Sequence, residues 1–140
     1  MVKFTRTNSD DDDLAKKNGE KNSFLKQFNN VDKINHVIVI YKDEVAVGCG
    51  AFKIYDKNTI EIKRMFVDQY YRNNGFATMV LRELINWAKD LNFSFAILET
   101  GDKMHEAIKL YQKEGFKRIP NYPPYDNEVT SRCFKKFLLS

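Results

Sequence analysis

The chain has 140 residues, is 43% hydrophobic and 14% aromatic, and carries 23 basic against 19 acidic side chains for a net charge of +4. That size and composition suit one globular domain over residues 1–140 with a sizeable core, and they exclude disordered and fibrous classes. No apolar run approaches membrane-spanning length, the charge excess is too small to argue for nucleic acid, and Cys49 and Cys133 lack metal-ligand spacing.

The opening MVKFTRTNSDDDD does not read as a signal peptide, and two separated cysteines suit reduced, buried thiols, so a cytoplasmic protein without a metal is expected. Val2 to Thr7 alternates as a first strand. Ser9 and Asp10 offer an N-cap, and the acidic run Asp10 to Asp13 favours a helix start over a metal site. Helices are expected over 10–18 and 20–28, separated at Gly19. His36 to Tyr41 is a β-branched, buried strand. Lys42, Asp43 and Glu44 make a tight turn into a paired strand, Val45 to Tyr55, where Gly48 and Gly50 weaken the strand or admit a bulge. After Asp56 to Asn58, a third strand runs from Thr59 to Val67 and completes an antiparallel meander.

The next stretch, from Val67 to Leu91, is strand end, polar turn and amphipathic helix. Ala77, Val80, Leu81, Leu84, Ile85, Ala88 and Leu91 recur at helical spacing. The turn before them holds Arg72, Asn73, Asn74 and Gly75. Unpaired N–H groups at a helix start, with the positive end of its dipole, suit an anion. A strand–turn–helix junction also uses Gly and Asn simply to turn. The turn is no GxGxxG, and no Lys-Ser or Lys-Thr pair follows it, so a dinucleotide site and a P-loop are poorly supported.

Phe93 to Leu98 reads as a strand parallel to Thr59–Val67 by crossover logic. Gly101 ends it, and Asp102 is expected to cap a helix running to Lys113, with Gly115 as its C-terminal glycine. Phe116 to Ile119 starts a strand, Asn121 to Asn127 is a Pro-rich loop, and Ser131 to Leu138 is the last strand. The sum is an α/β (α+β) chain with a mixed sheet and about four helices.

Three segments, in order, resemble the GNAT superfamily of acetyl-CoA-dependent N-acetyltransferases. Arg72-Asn73-Asn74-Gly75-Phe76-Ala77 matches the Arg/Gln-x-x-Gly-x-Gly/Ala loop. Leu98-Glu99-Thr100-Gly101 follows at the next strand end. Ala107 to Phe116 matches Ala-x-x-Leu-Tyr-x-x-x-Gly-Phe. The resemblance covers nearly the whole chain and is firmest from Val45 onward. Gly48 to Ala51, Glu61 to Met65 and Leu98 to Gly101 are similar to a bacterial branch of small GNAT proteins. Two positions depart from the pattern: Ala77 stands at the loop's last glycine, and Met104 replaces a common asparagine that contacts the pantetheine arm.

The resemblance implies a GNAT-like acyl-CoA N-acyltransferase fold with splayed parallel strands. It also implies acetyl-CoA as cofactor, with the pantetheine arm on the backbone of Met65, Phe66 and Val67. The pyrophosphate would lie on the amides from Arg72 through Asn73, Asn74, Gly75 and Phe76 to Ala77 and Thr78. Tyr111 would face the sulfur, and the Met65 N–H would polarise the thioester carbonyl. Reference pKa values of about 10 for a phenol and about 8.5 for a thiol put proton transfer uphill by roughly 2 kcal/mol, so a hydrogen bond to the thiolate serves as well as full transfer. Tyr111 also fits the apolar stripe of its helix as ordinary core.

By the resemblance, Glu61 occupies the strand position of the catalytic glutamate in GNAT histone acetyltransferases and is the candidate base, although an ordinary carboxylate deprotonates an ammonium poorly without burial or a water chain. Alternation puts Glu61, Lys63 and Met65 on one face, with Ile62, Arg64 and Phe66 on the other. Lys63 and Arg64 are candidates for binding an anionic group on the acceptor, and Tyr122 and Tyr125 for walling its pocket; all four also suit solvent exposure or packing. The expected activity is acetyl transfer to a primary amine of a small molecule by direct attack on the thioester. A protein or peptide acetyltransferase and a non-catalytic CoA-binding regulatory domain stay open. No nucleic-acid or membrane partner is expected, and the family implies a homodimer.

Overall fold

The structure is a computed structural model and describes residues 1–9, 25 and 34–138. Its strands are β1 (Val2–Thr7), β2 (His36–Lys42), β3 (Val45–Asp56), β4 (Thr59–Val67), β5 (Phe95–Gly101), β6 (Lys117–Ile119) and β7 (Ser131–Phe137). Its α-helices are α1 (Phe76–Asp90) and α2 (His105–Lys113), and Gln69–Tyr71 is a 3-10 turn. The strands form a seven-stranded mixed sheet in the order β1-β2-β3-β4-β5-β7-β6. Two α-helices stand among the described residues, against about four expected. The two early helices expected, over 10–18 and 20–28, fall outside the described residues, Leu25 apart. The chain divides into two compact units, Met1–Lys53 with Lys63–Asn86, and Ile54–Ile62 with Trp87–Ser140.

The first unit is built on an antiparallel run. β1 pairs with β2 from Val2↔Lys42 to Thr7↔Val37, and β2 pairs with β3. Asp43 and Glu44, both at positive φ, make the β2–β3 turn (50° and 69°), the backbone whose twist suits a two-residue hairpin. The register shifts between Ile40 and Tyr41, where Ile40 pairs with Gly48 and Tyr41 with Ala46, so Val47 is the extra residue of a bulge. Its carbonyl accepts from the Asp68 N–H at 2.8 Å. One face of the strands buries Val37, Val39, Ala46, Cys49 and Ala51 with Leu25 and Ile34, and Tyr41 and Phe66 pack against them.

The other face explains Gly50. A Cβ there would lie 2.6 Å from the Met65 Sδ, 2.8 Å from a Val80 methyl and 2.9 Å from a Leu84 methyl, so Gly50 admits close approach of β4 and α1 side chains. Val80 and Leu84 are fully buried and have little room to yield. Gly50→Ala is expected to destabilise the protein by about 1–3 kcal/mol, read as a lower denaturation midpoint at unchanged m-value. An unaltered midpoint would mean that this packing is looser than the geometry indicates.

Helix α1 buries Phe76, Val80, Leu81, Leu84, Ile85 and Ala88. Leu91, expected on that face, is 43% exposed because the helix stops before it. Asn92 takes a left-handed φ of 68°, its N–H donates to Lys89 O and the Phe93 N–H to Ala88 O, the two bonds of a Schellman motif. Phe93 is therefore committed to the cap, and β5 starts at Phe95 rather than Phe93.

In the second unit β4 and β5 run parallel in register, from Thr59↔Phe95 to Ile62↔Leu98. β5 pairs antiparallel with β7, and β7 with β6. Asp102 does not cap α2: Met104 occupies the N-cap and makes no side-chain cap bond. The Asp102 N–H donates to Thr130 O, and its carboxylate lies 3.8 Å from Arg132. At the other end, Gly115 has a φ of 93°, and the Gly115 and Phe116 N–H groups donate to Gln112 O and Tyr111 O. That second Schellman cap uses Phe116, so β6 begins at Lys117.

Candidate active site

Behind β4 the chain makes a built loop. Asp68 accepts from the Tyr70 N–H at 3.0 Å and holds the 3-10 turn. The Arg72 Nε donates to Val67 O at 3.1 Å, and the guanidinium lies 5.7 Å from the Phe66 ring centroid. The Asn74 amide donates to Tyr71 O and Arg72 O. Asn73 and Gly75 take left-handed φ values of 66° and 79° on either side of Asn74. Such alternation turns successive N–H groups toward one side, as in an anion nest. The first intrahelical bond is Met79 N–H to Gly75 O. The N–H groups of Phe76, Ala77 and Thr78 therefore have no helical acceptor, and no acidic residue sits in this first turn. Open space surrounds the Cβ position of Gly75. These residues fit a phosphate.

Before that loop, β4 is irregular. Arg64 sits at a φ of 61°, rare for a side chain of its size, and its carbonyl accepts from the Cys49 thiol at 3.5 Å. Strict alternation thus breaks at Arg64, and the expected common face for Glu61, Lys63 and Met65 does not hold through it. Met65 and Val67 face Gly50 and Gly48, while the Phe66 ring joins the Cys49 cluster. Phe66 is left with its backbone for a ligand. Lys63 and Arg64 are half-buried and belong to this first unit.

The second unit holds the other candidates on two faces. Cross-strand partners share a face, so Glu61, Ile97, Glu99, Cys133 and Lys135 lie together by the registers Glu61↔Ile97, Ile97↔Lys135 and Glu99↔Cys133. Tyr111 packs on the alternate face, its ring 6.5 Å from Phe134 and 5.8 Å from Phe116. The fold therefore does not bring Tyr111 and Glu61 to the same face of this unit.

Tyr111 is buried at 7% exposure, and burial pushes its phenol up to about 12. Among the described residues its hydroxyl has no hydrogen-bond partner, which an ordinary core tyrosine usually finds. On the opposite face the Tyr122 hydroxyl donates to a Glu61 carboxylate oxygen at 2.7 Å. Burial, and then the Glu61 hydrogen bond and charge, push the Tyr122 phenol far above its usual range, so it stays a donor. Tyr125 and Tyr55 both meet Tyr122 edge-on, at 5.6 Å and 5.5 Å between centroids. Of the two tyrosines expected to wall the acceptor pocket, Tyr122 meets Glu61 directly and Tyr125 packs on Tyr122.

Three contributors to this face were not picked out from the sequence. Tyr55 reads as an ordinary strand end. Asn121 donates to Tyr125 O, Glu128 O and Ser131 O, and so holds the loop that carries Tyr122; an Asn opening a Pro-rich loop is its one sequence signal. Ser131 donates to Glu99 at 2.6 Å. Cys133 is buried, and burial raises its thiol, so it is no reactive nucleophile. No group of three His, Cys, Asp or Glu residues among the described ones could hold a metal ion, and no described helix is long and apolar enough to cross a membrane.

Residues 5–116 match the family model described as "Acetyltransferase (GNAT) family". The IAA acetyltransferase of Azospirillum brasilense is 31% identical over 100 residues, which are 71% of this chain and 65% of that protein. The chain spans between 25% and 65% of the length of the first curated relatives it matches. A solved structure from Klebsiella pneumoniae, assigned to the acyl-CoA N-acyltransferases, superposes with a TM-score of 0.81 at 23% identity, covering 99% of each chain. A GNAT acetyltransferase from Elizabethkingia anophelis, solved with acetyl-CoA bound, gives 0.69 at 19% identity over 97% of each chain. The match spans residues 5–116 of 140, so the chain belongs to the GNAT acetyltransferase family.

Proposed function

We propose that this protein moves an acetyl group from acetyl-CoA to a primary amine of a small molecule by direct attack on the thioester. The observation that carries the reading is the open start of α1 behind two left-handed residues, Asn73 and Gly75, with no acidic side chain in its first turn. Backbone amides there are oriented for the pyrophosphate, and the helix dipole adds to their attraction. Acetyl-CoA supplies an acetyl group activated as a thioester. The backbone of Met65, Phe66 and Val67 lines the pantetheine arm, and the Met65 N–H hydrogen-bonds the acetyl carbonyl. The Tyr111 hydroxyl donates to the departing sulfur. The amine nitrogen forms its bond to the acetyl carbon as the carbon–sulfur bond breaks, and the surplus proton passes to water.

Glu61 takes a reduced role as base here. Its carboxylate already accepts from the Tyr122 hydroxyl at 2.7 Å. The protein is expected to bind acetyl-CoA in calorimetric titration and to give no heat with adenosine monophosphate. Absence of binding to either compound would overturn the proposal. An amine screen that includes a peptide with a free N-terminus then decides between small-molecule and protein acceptors.

A further inference from the structure

We propose that Lys136 is a positioning residue for the reaction: from β7 it holds the C-terminal end of α2 and so sets the place of the Tyr111 hydroxyl. The inference rests on the N-acetyltransferase reading, in which that hydroxyl donates to sulfur, and it lies wholly within the second unit. Tyr111 sits in the last turn of α2, a helix whose start has no side-chain cap. Its grip is at the other end. The Phe116 N–H donates to the Tyr111 carbonyl at 2.9 Å, and the Phe116 ring meets the Tyr111 ring at 5.8 Å. The chain reaches Phe116 through Glu114 and Gly115, and there Lys136 acts: its Nζ donates to the Glu114 carbonyl at 2.7 Å. Gly115 leaves room for that ammonium, since a Cβ on it would lie 2.7 Å from the nitrogen. Lys136 and Phe134 hold alternate positions of β7 and so share a face. The strand that supports the Tyr111 ring through Phe134, 6.5 Å between centroids, therefore also holds the cap through Lys136.

The charge strengthens this bond twice over. An ammonium makes a stronger hydrogen bond than a neutral donor, and here it stands at the negative end of the helix dipole. A hydrogen bond from a phenol to sulfur weakens steeply with misalignment. A small shift of α2 along the strand then costs that bond even while the ring stays packed.

The test uses the intact protein and two readouts, neither of which needs the acceptor. In free protein isotope-labelled at the tyrosine Cζ, the Tyr111 signal is the one absent from Tyr111→Phe. Lys136→Met keeps the stem, removes the donor and is expected to move that signal. Lys136→Arg restores donor and charge and is expected to return it toward the parent position. An unmoved signal in Lys136→Met, even with a lowered melting temperature, would overturn the inference and leave Lys136 a stabilising residue only. Coenzyme A and desulfo-coenzyme A are then titrated at about pH 9, where a thiol of usual pKa about 8.5 is largely ionised. The parent is expected to prefer coenzyme A about tenfold, the effect of one hydrogen bond to a charged group. Tyr111→Phe is expected to lose that preference, Lys136→Met to cut it about threefold, and the double variant to lose no more than Tyr111→Phe does. A preference intact in Lys136→Met, or a further loss in the double variant, would strike this inference alone. A preference that Tyr111→Phe leaves unchanged would strike the reading of Tyr111 as donor to sulfur. No binding of coenzyme A would strike the cofactor reading, and the ring signal then decides this inference by itself.

Discussion

Replacing Tyr111 with phenylalanine is expected to lower kcat about 10- to 150-fold while leaving the KM for acetyl-CoA within about twofold. The magnitude is that of one hydrogen bond to a charged group, roughly 1.5–3 kcal/mol. It is not that of a proton transfer, and burial is the reason. With its phenol pushed up to about 12, Tyr111 stands roughly 5 kcal/mol from protonating a thiolate of ordinary basicity, a gap narrowed only by the thiolate's own desolvation. On the proposed reading the hydroxyl stabilises the departing sulfur by donating a hydrogen bond to it. Phenylalanine keeps the ring against Phe116 and Phe134, so the variant is expected to fold and melt much as the parent does. Steady-state kinetics with a thermal melt check both halves of this expectation. Unchanged turnover would return Tyr111 to the core, and a large loss of stability would show that its hydroxyl serves the fold.

Gly75→Glu is expected to weaken acetyl-CoA binding at least tenfold, for two reasons that a second substitution separates. A φ of 79° costs a residue with a Cβ about 1–2 kcal/mol. The added carboxylate also sets a negative charge beside the amides at the start of α1 that are proposed to hold the pyrophosphate. The Cβ itself meets nothing within 4 Å, so crowding plays no part. Gly75→Asn tests the backbone term alone, since Asn tolerates the left-handed region and is uncharged. It is expected to bind within about threefold of the parent. Raising the salt concentration should narrow the gap between the Glu variant and the parent, because the site is exposed and screened. Calorimetry on the three proteins at two ionic strengths checks this. Equal affinity of Gly75→Glu and the parent would mean the pyrophosphate lies elsewhere.

The two predictions depend on different parts of the chain and differ in how far the sequence alone exposed them. The run at His36–Tyr41 and the apolar spacing from Val80 to Ala88 determine a strand and a helix because neighbouring residues must share a face. The loop Arg72–Ala77 and the glycine at 115 are equally local: a left-handed residue is needed at each, and the sequence names it. What the sequence alone did not decide depends on distant partners. Arg64 is left-handed in a strand that reads as regular, and its carbonyl meets a thiol fifteen residues away. Met104 holds an N-cap that Asp102 was expected to fill, because Asp102 answers to Thr130 and Arg132 instead. The Glu61–Tyr122 bond joins residues sixty-one positions apart. Periodicity could place Glu61 on a face, but only the pairing of β4, β5 and β7 put that face beneath the loop of Tyr122. Local backbone preference acts over a few residues and is written in them, whereas a contact across strands depends on register, which only the assembled sheet fixes.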